Sequence, residues 1–300
     1  MARHARDQTG GVEMAWSPDG TKLAFTDYRP SGSVGLFVMD VDDGTPVDIS
    51  PSLEHADSPS WSPDGTELAF GGCCDAYYDI YVVRADGTGL RRVTDERDSN
   101  GVDGAFMPAW SPDGTKIAYV DERYDARSET ESTGILIMNP DGTQPEFVTW
   151  SSRIDEVPVW SPDGTKIAFF RKTGDGYSQL FVASALDGVT EPTRLSSPGL
   201  QLTSPPSWAP DSQEVLFSAQ RMQGIYVSTI DGTSERAVLE GVHARGAVWS
   251  PDGCWIAFVR DEKRNGLGAI WLIRPDGTDL TELVGGLEEA GGIEWQGLSS

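Results

Sequence analysis

A ten-residue phrase that recurs six times constrains this 300-residue chain more than any other feature. Trp16, Trp61, Trp110, Trp160, Trp208 and Trp249 each open one copy, read in order as WSPDGTKLAF, WSPDGTELAF, WSPDGTKIAY, WSPDGTKIAF, WAPDSQEVLF and WSPDGCWIAF. Successive tryptophans lie 45, 49, 50, 48 and 41 residues apart. A second landmark follows each phrase: Asp43-Gly44, Asp86-Gly87, Asp141-Gly142, Asp187-Gly188, Asp231-Gly232 and Asp276-Gly277. Units of this length cannot each bury a core alone; they must stack on their neighbours.

The residues between the landmarks say what each unit is. Ser-Pro-Asp-Gly suits a tight turn: proline fixes φ near −65°, aspartate tolerates the next position and glycine accepts positive φ. An apolar, β-rich segment follows, such as Lys166–Phe170, then a loop and a further apolar strand such as Gln179–Val182. The Asp-Gly turn then returns the chain through a short last strand. Four antiparallel strands per unit, repeated around an axis, leave only short, protected sheet edges. The expected fold is therefore all-β, a six-bladed β-propeller of four-stranded antiparallel blades, forming one domain over residues 1–300. The blades are expected near residues 12–50, 57–95, 105–149, 156–196, 203–239 and 245–284. Gly292-Ile293-Glu294-Trp295 reads as a surplus closing strand beside residues 12–16. Each tryptophan is expected to pack between neighbouring blades.

This pattern resembles the WD-like repeat of the TolB family and its relatives, including the propellers of tricorn-type and prolyl-oligopeptidase-type peptidases. The resemblance spans residues 12–295 and rests on the six W-[SA]-P-D-[GS] phrases and six D-G turns. It implies a propeller fold; for function it is broad, since such propellers serve transport complexes, peptidases and lyases. In the peptidases the catalytic machinery sits in another domain, so the resemblance implies no catalytic residue within these repeats. It also implies an extracytoplasmic setting if an export leader has been removed. Met1-Ala2-Arg3-His4-Ala5-Arg6 leads into Asp7 and Gln8 rather than an apolar stretch, so the other expectation is a cytoplasmic chain.

Charge excludes some partners. A net charge of −24 argues against nucleic-acid backbones and anionic membranes, and no apolar run reaches the length of a membrane span. Twelve aspartates belong to the repeated turns, so about half of that excess follows from the fold. Cys73, Cys74 and Cys254 are odd in number and two are adjacent, which excludes a disulfide framework. The Cys73-Cys74 pair reads as small apolar filler; a metal or redox role lacks a His or Cys partner at ligand spacing. A monomer is expected.

If the first strand of each blade descends, both families of repeated turns lie on one face and the variable loops on the other. Binding residues concentrate on variable loops held by a rigid scaffold, so the loop face and the channel mouth are the candidate site. Residues entering the first strands should rim the channel: Glu13, His55, Asp57, Asp155, Glu156, His243 and Arg245. His55 and His243 share a register six residues before their tryptophans, and imidazole with carboxylate could hold a divalent metal. The plainer expectation is two separate histidines, solvated or hydrogen-bonded, and no cofactor. Arg29, Arg123, Arg171, Arg221 and Arg260 follow the second strands, where guanidinium forks could receive a partner's carboxylates. Equally, they could pair with acids in adjacent loops and hold those loops. The charged insert Asp121–Thr133 reads as a solvated flap.

No G-x-S-x-G elbow, H-E-x-x-H helix or phosphate loop occurs, and Asp40–Gly44 has the wrong spacing for an EF-hand. The leading expectation is a non-catalytic module that binds a protein or peptide at the loop face and channel mouth. The alternative is a channel-site lyase or hydrolase, acting on carbohydrate or peptide through Asp57, Glu156 and the histidines.

Overall fold

The computed structural model describes residues 13–74, 77–95, 104–125, 130–174, 176–202, 204–220, 224–261 and 268–287. They form six antiparallel sheets of four strands, each sheet in simple chain order, arranged as a six-bladed β-propeller. The first strands are Met14–Trp16, His55–Trp61, Gly104–Trp110, Asp155–Trp160, Ser207–Trp208 and Ala244–Trp249. Each ends on its tryptophan. The expected pairing of residues 292–295 falls outside the described residues.

The repeated phrase folds as its chemistry requires. In the first copy Gly20 donates its N–H to the Ser17 carbonyl at 2.8 Å and holds φ 69°, where a side chain would be strained. Asp19 accepts from the Ser17 hydroxyl at 2.7 Å and from the Thr21 amide at 3.0 Å. The Ser17 hydroxyl in turn accepts from the Lys22 amide at 2.9 Å. One serine and one aspartate thus satisfy the polar groups at the head of the hairpin.

The core lies between blades. The second strand of blade two shows why: Leu68 and Phe70 pack with Ala24, Leu36 and Val38 of blade one, while Ala69 packs with Ile117 and Leu136 of blade three. The alternation of a strand therefore serves two seams at once. Similar clusters fill the seams between blades three and four, four and five, and five and six.

The tryptophans stitch these seams, as expected, in two distinct ways. The indole N–H of Trp61, Trp160 and Trp208 donates to the carbonyl of Ala15, Ala109 and Val159 in the preceding blade, at 2.9, 3.0 and 3.0 Å. Each acceptor directly precedes its own blade's tryptophan. Where serine occupies that place, its Oγ instead accepts the next tryptophan's backbone N–H: Ser60 from Trp110 and Ser207 from Trp249, both at 3.1 Å. At those two seams the buried indole nitrogens of Trp110 and Trp249 have no hydrogen-bond partner.

Two further devices shape the blades. In blades one to four the last strand has only two residues, Val47–Asp48, Arg91–Arg92, Glu146–Phe147 and Thr193–Arg194. A hydroxyl residue stands two places on, and its oxygen accepts a third-strand amide: Ser50 from Leu36, Thr94 from Ile80, Thr149 from Ile135 and Ser196 from Leu180. The hydroxyl replaces the next rung of the ladder and frees the chain to leave. Blades five and six have no such residue, and their last strands run on as Glu235–Glu240 and Thr281–Leu287. The second device is a bulge in the first strand, three residues before the tryptophan. Ser58, Met107 and Val157 hold φ of 50°, 52° and 58°, each directly ahead of a proline, and Gly246 holds 60° in blade six. Pro59, Pro108 and Pro158 are tolerated because the first strand is the inner edge of its sheet and the bulge needs no N–H there.

Candidate functional site: the loop face and channel mouth

Three of the proposed rim residues are electrostatically coupled at the seam of blades one and two. Glu13, directly ahead of the first strand, accepts a short hydrogen bond from the Ser58 amide, which the bulge turns away from its own sheet. Its own N–H donates to Thr26 Oγ1 at 3.1 Å. The protein crowding around this otherwise accessible carboxyl raises its pKa, with the Asp57 charge adding to the effect and the Ser58 amide opposing it. His55 opens the first strand of blade two, with Nδ1 3.6 Å from Asp57 Oδ2 and its ring edge-on to Tyr78 at 5.7 Å. Asp57 packs directly over Gly71, its partner in register; a Cβ there would lie 2.3 Å from Asp57 Oδ1. The Gly71-Gly72 pair in AFGGCC was the sequence signal for that close approach.

Elsewhere the structure separates the candidates. Glu156 pairs with Lys172 at 3.2 Å on blade four. His243 is exposed just before the first strand of blade six, and Arg245 is exposed within it. Asp155 must be withdrawn from the rim. It is fully buried and takes a bidentate pair of hydrogen bonds from Arg171, at 2.6 and 2.7 Å. Thr149 of blade three donates to the same carboxylate at 2.8 Å. Phe169 and Phe181 flank the Arg171 guanidinium, each 5.3 Å from its carbon. Arg171 and Asp155 form a buried pair within blade four that Thr149 ties to blade three, so neither is offered to a ligand.

Arg29 is likewise consumed. Its fork pairs with Asp48 at 2.7 Å and donates to the carbonyls of Ser50 and Leu53 at 2.7 and 2.8 Å, fixing the loop into blade two. Arg123 pairs with buried Asp121 at 2.9 Å and lies over Phe147 and Trp150, 5.8 and 5.7 Å from their ring centres. Arg260 stacks on Trp271 at 5.0 Å. Arg221 lies outside the described residues. The Asp121–Thr133 insert is not a solvated flap at its base: the second and third strands of blade three continue through it in register from Asp121↔Gly134 to Asp125↔Thr130, with Asp121 and Thr133 buried. Hydrogen-bonded pairing satisfies its backbone, which sequence charge alone did not reveal.

Among the described residues no cluster of three or more His, Cys, Asp or Glu could hold a metal ion. The candidate residues thus set carboxylates and exposed basic side chains beside first strands that bulge at one level in blades two, three, four and six.

Six four-stranded blades in a ring define a β-propeller, with loops of differing length on one face and closely similar turns on the other. The family model for the TolB beta propeller domain matches residues 8–126 and 104–291, and the chain belongs to that family. A search of curated protein sequences finds no match. Among solved structures, a putative TolB from Agrobacterium tumefaciens is similar at 20% identity and a TM-score of 0.56, over 80% of this chain and 86% of that one. A puromycin-hydrolysing peptidase from Mycobacterium tuberculosis is similar at 15% identity and a TM-score of 0.72, over 91% of this chain but 46% of the peptidase. An oligogalacturonate lyase from Vibrio parahaemolyticus shows 13% identity and a TM-score of 0.67, over 91% of this chain and 77% of the lyase. Likeness at these identities is a likeness of fold.

Proposed function

We propose that this propeller is a non-catalytic module that binds a protein or peptide segment at its loop face and channel mouth. The observation that carries the reading is the row of bulges along the channel wall. Ser58, Met107 and Val157 keep left-handed backbones on three successive blades, at the same register, each ahead of a proline. A non-glycine residue in that region costs about 1–3 kcal/mol, and such strain gathers where a surface must present particular groups. A β-branched valine ahead of proline is doubly disfavoured there. Beside the bulges, Glu13, Asp57 and Glu156 favour cationic groups on the incoming segment, and TolB relatives supply a precedent for the scaffold.

Charge reversal tests the face. Asp57→Lys with Glu156→Lys is compared with Asp64→Lys and Asp113→Lys in the turns of the opposite face, since both doubles change net charge equally. Proteins retained from source lysate by the wild-type chain are identified by mass spectrometry and followed across both variants, with melting curves to confirm folding. Loss confined to the loop-face double supports the proposal. Retention in that double, or equal loss in both, sinks it.

A further inference from the structure

We infer that the turn face carries a second binding site, a cleft between blades four, five and six that accepts a lysine or arginine side chain of a partner protein. The cleft is a shallow depression of about 460 Å³, open to solvent and lined by Pro162, Pro210, Pro251, Trp208 and Trp249, with Ser207, Val248 and Ser250 completing it. Trp249 is only 9% exposed, and its indole nitrogen is one of the two in the seams left without a partner. The cleft thus opens where Ser207 has taken the backbone amide and the indole clamp between blades five and six is missing.

Of the aspartates that follow the lining prolines in sequence, one is unlike its siblings. In the four turns that keep Ser at the second place and Thr at the sixth, the aspartate accepts from both hydroxyls: Asp19, Asp64, Asp113 and Asp163. Asp252 still accepts from Ser250 Oγ, at 2.6 Å. Blade five reads WAPDSQ, so Ala209 and Gln213 stand where those hydroxyls would be. Among the described residues, the Asp211 carboxylate accepts only the Gln213 backbone amide, at 2.9 Å, and the residue is exposed to solvent. It directly follows Pro210 of the cleft wall, while Asp163 and Asp252 follow Pro162 and Pro251. Burial works against the Asp163 carboxylate but its Ser161 and Thr165 hydrogen bonds prevail, and the Ser250 bond lowers the pKa of Asp252, so both flanking acids stay ionised.

An apolar trough lined by prolines and by the small exposed parts of two indoles, with an under-coordinated carboxylate on the residue after its Pro210 wall, matches one kind of group. The aliphatic stem of Arg or Lys lies on apolar and aromatic surface while its head reaches a carboxylate. A carboxylate-bearing or purely apolar segment would leave these acids facing like charge or desolvated without a partner. Three acids, each next in sequence to a proline of one apolar cleft, on a chain of net charge −24 make cationic chemistry the complementary choice.

The test uses the whole chain labelled with ¹⁵N, reading tryptophan indole resonances while acetyl-Gly-Arg-Gly-amide is titrated to millimolar concentration. Acetyl-Gly-Glu-Gly-amide serves as the opposite-charge control. Saturable shifts at Trp208 and Trp249 are expected with the arginine peptide alone. Asp211→Asn should weaken that binding at least tenfold, whereas Asp113→Asn, on another blade, should leave it unchanged. Should Asp211→Asn disturb its turn, the double variant Ala209→Ser with Gln213→Thr rebuilds the consensus hydroxyls around an intact carboxylate. It should fold normally and bind several-fold more weakly. Absence of shifts at the two indoles, equal shifts with the glutamate peptide, or undiminished binding in both blade-five variants would overturn the assignment.

Discussion

Val157 is β-branched, precedes Pro158 and holds φ 58° on the channel wall. Glycine at that position relieves the backbone conflict at the cost of some chain entropy, so Val157→Gly should stabilise the fold by about 1 kcal/mol in urea titrations. Destabilisation instead would mean that the valine side chain's packing outweighs its strain. The seam tryptophans allow a paired experiment. Trp160→Ala should cost about 3–5 kcal/mol, as for any large buried aromatic. Trp160→Phe should cost about 1 kcal/mol more than Trp249→Phe, because only Trp160 loses an indole hydrogen bond and strands the Ala109 carbonyl. Equal losses in denaturant melts would refute that division of the seams. The difference was present in the letters before each tryptophan, Ala and Val against Ser. It becomes legible only once the ring shows that these residues face the next blade.

At the scale of the strand, the hydroxyl beyond each short last strand decides where a blade stops. Thr149 both caps the Ile135 amide and donates to Asp155 across a seam, so Thr149→Val should cost about 2–3 kcal/mol. Ser196→Ala removes the cap alone and should cost about 1 kcal/mol. Thermal melts that place the two variants together would show that the Thr149–Asp155 bond adds nothing. Much of this level was readable in the sequence. The repeat gave blade number, strand order and turn chemistry, because tight turns admit few residues and β-strands alternate with a period of two. The ion pair of Asp155 and Arg171 was not readable, for both residues sit at positions that look like open rim until blade three folds over them. Arg29 was half-read: its pairing with neighbouring acids was one of two expectations, and its bonds to Asp48, Ser50 and Leu53 select it.

For the molecule as a whole, acid should be the natural denaturant. Asp19, Asp64, Asp86, Asp113, Asp141, Asp163, Asp231, Asp252 and Asp276 all titrate below the ordinary value in the folded chain, held by turn hydroxyls and amides; Asp231 falls to about 2. A depressed folded pKa contributes stability that is complete above the unfolded value of 3.8 and disappears as pH drops through the folded value. Glu13 has the opposite sign, being raised, and favours the fold as it protonates. Asp48 is lowered too, its burial outweighed by Arg29 and Ser50, so depressed carboxyls prevail ten against one and the melting temperature should fall steeply from about pH 4 to pH 2. A flat melting curve across that interval would show that the turns survive protonation. The two serine seams have a mechanical consequence as well. Joints clasped by an indole bind blades one to two, three to four and four to five, whereas the joints after blades two and five lack that clasp. Under tension the wheel should crack first at those two joints, and the arc of blades three, four and five should come away as one intact segment.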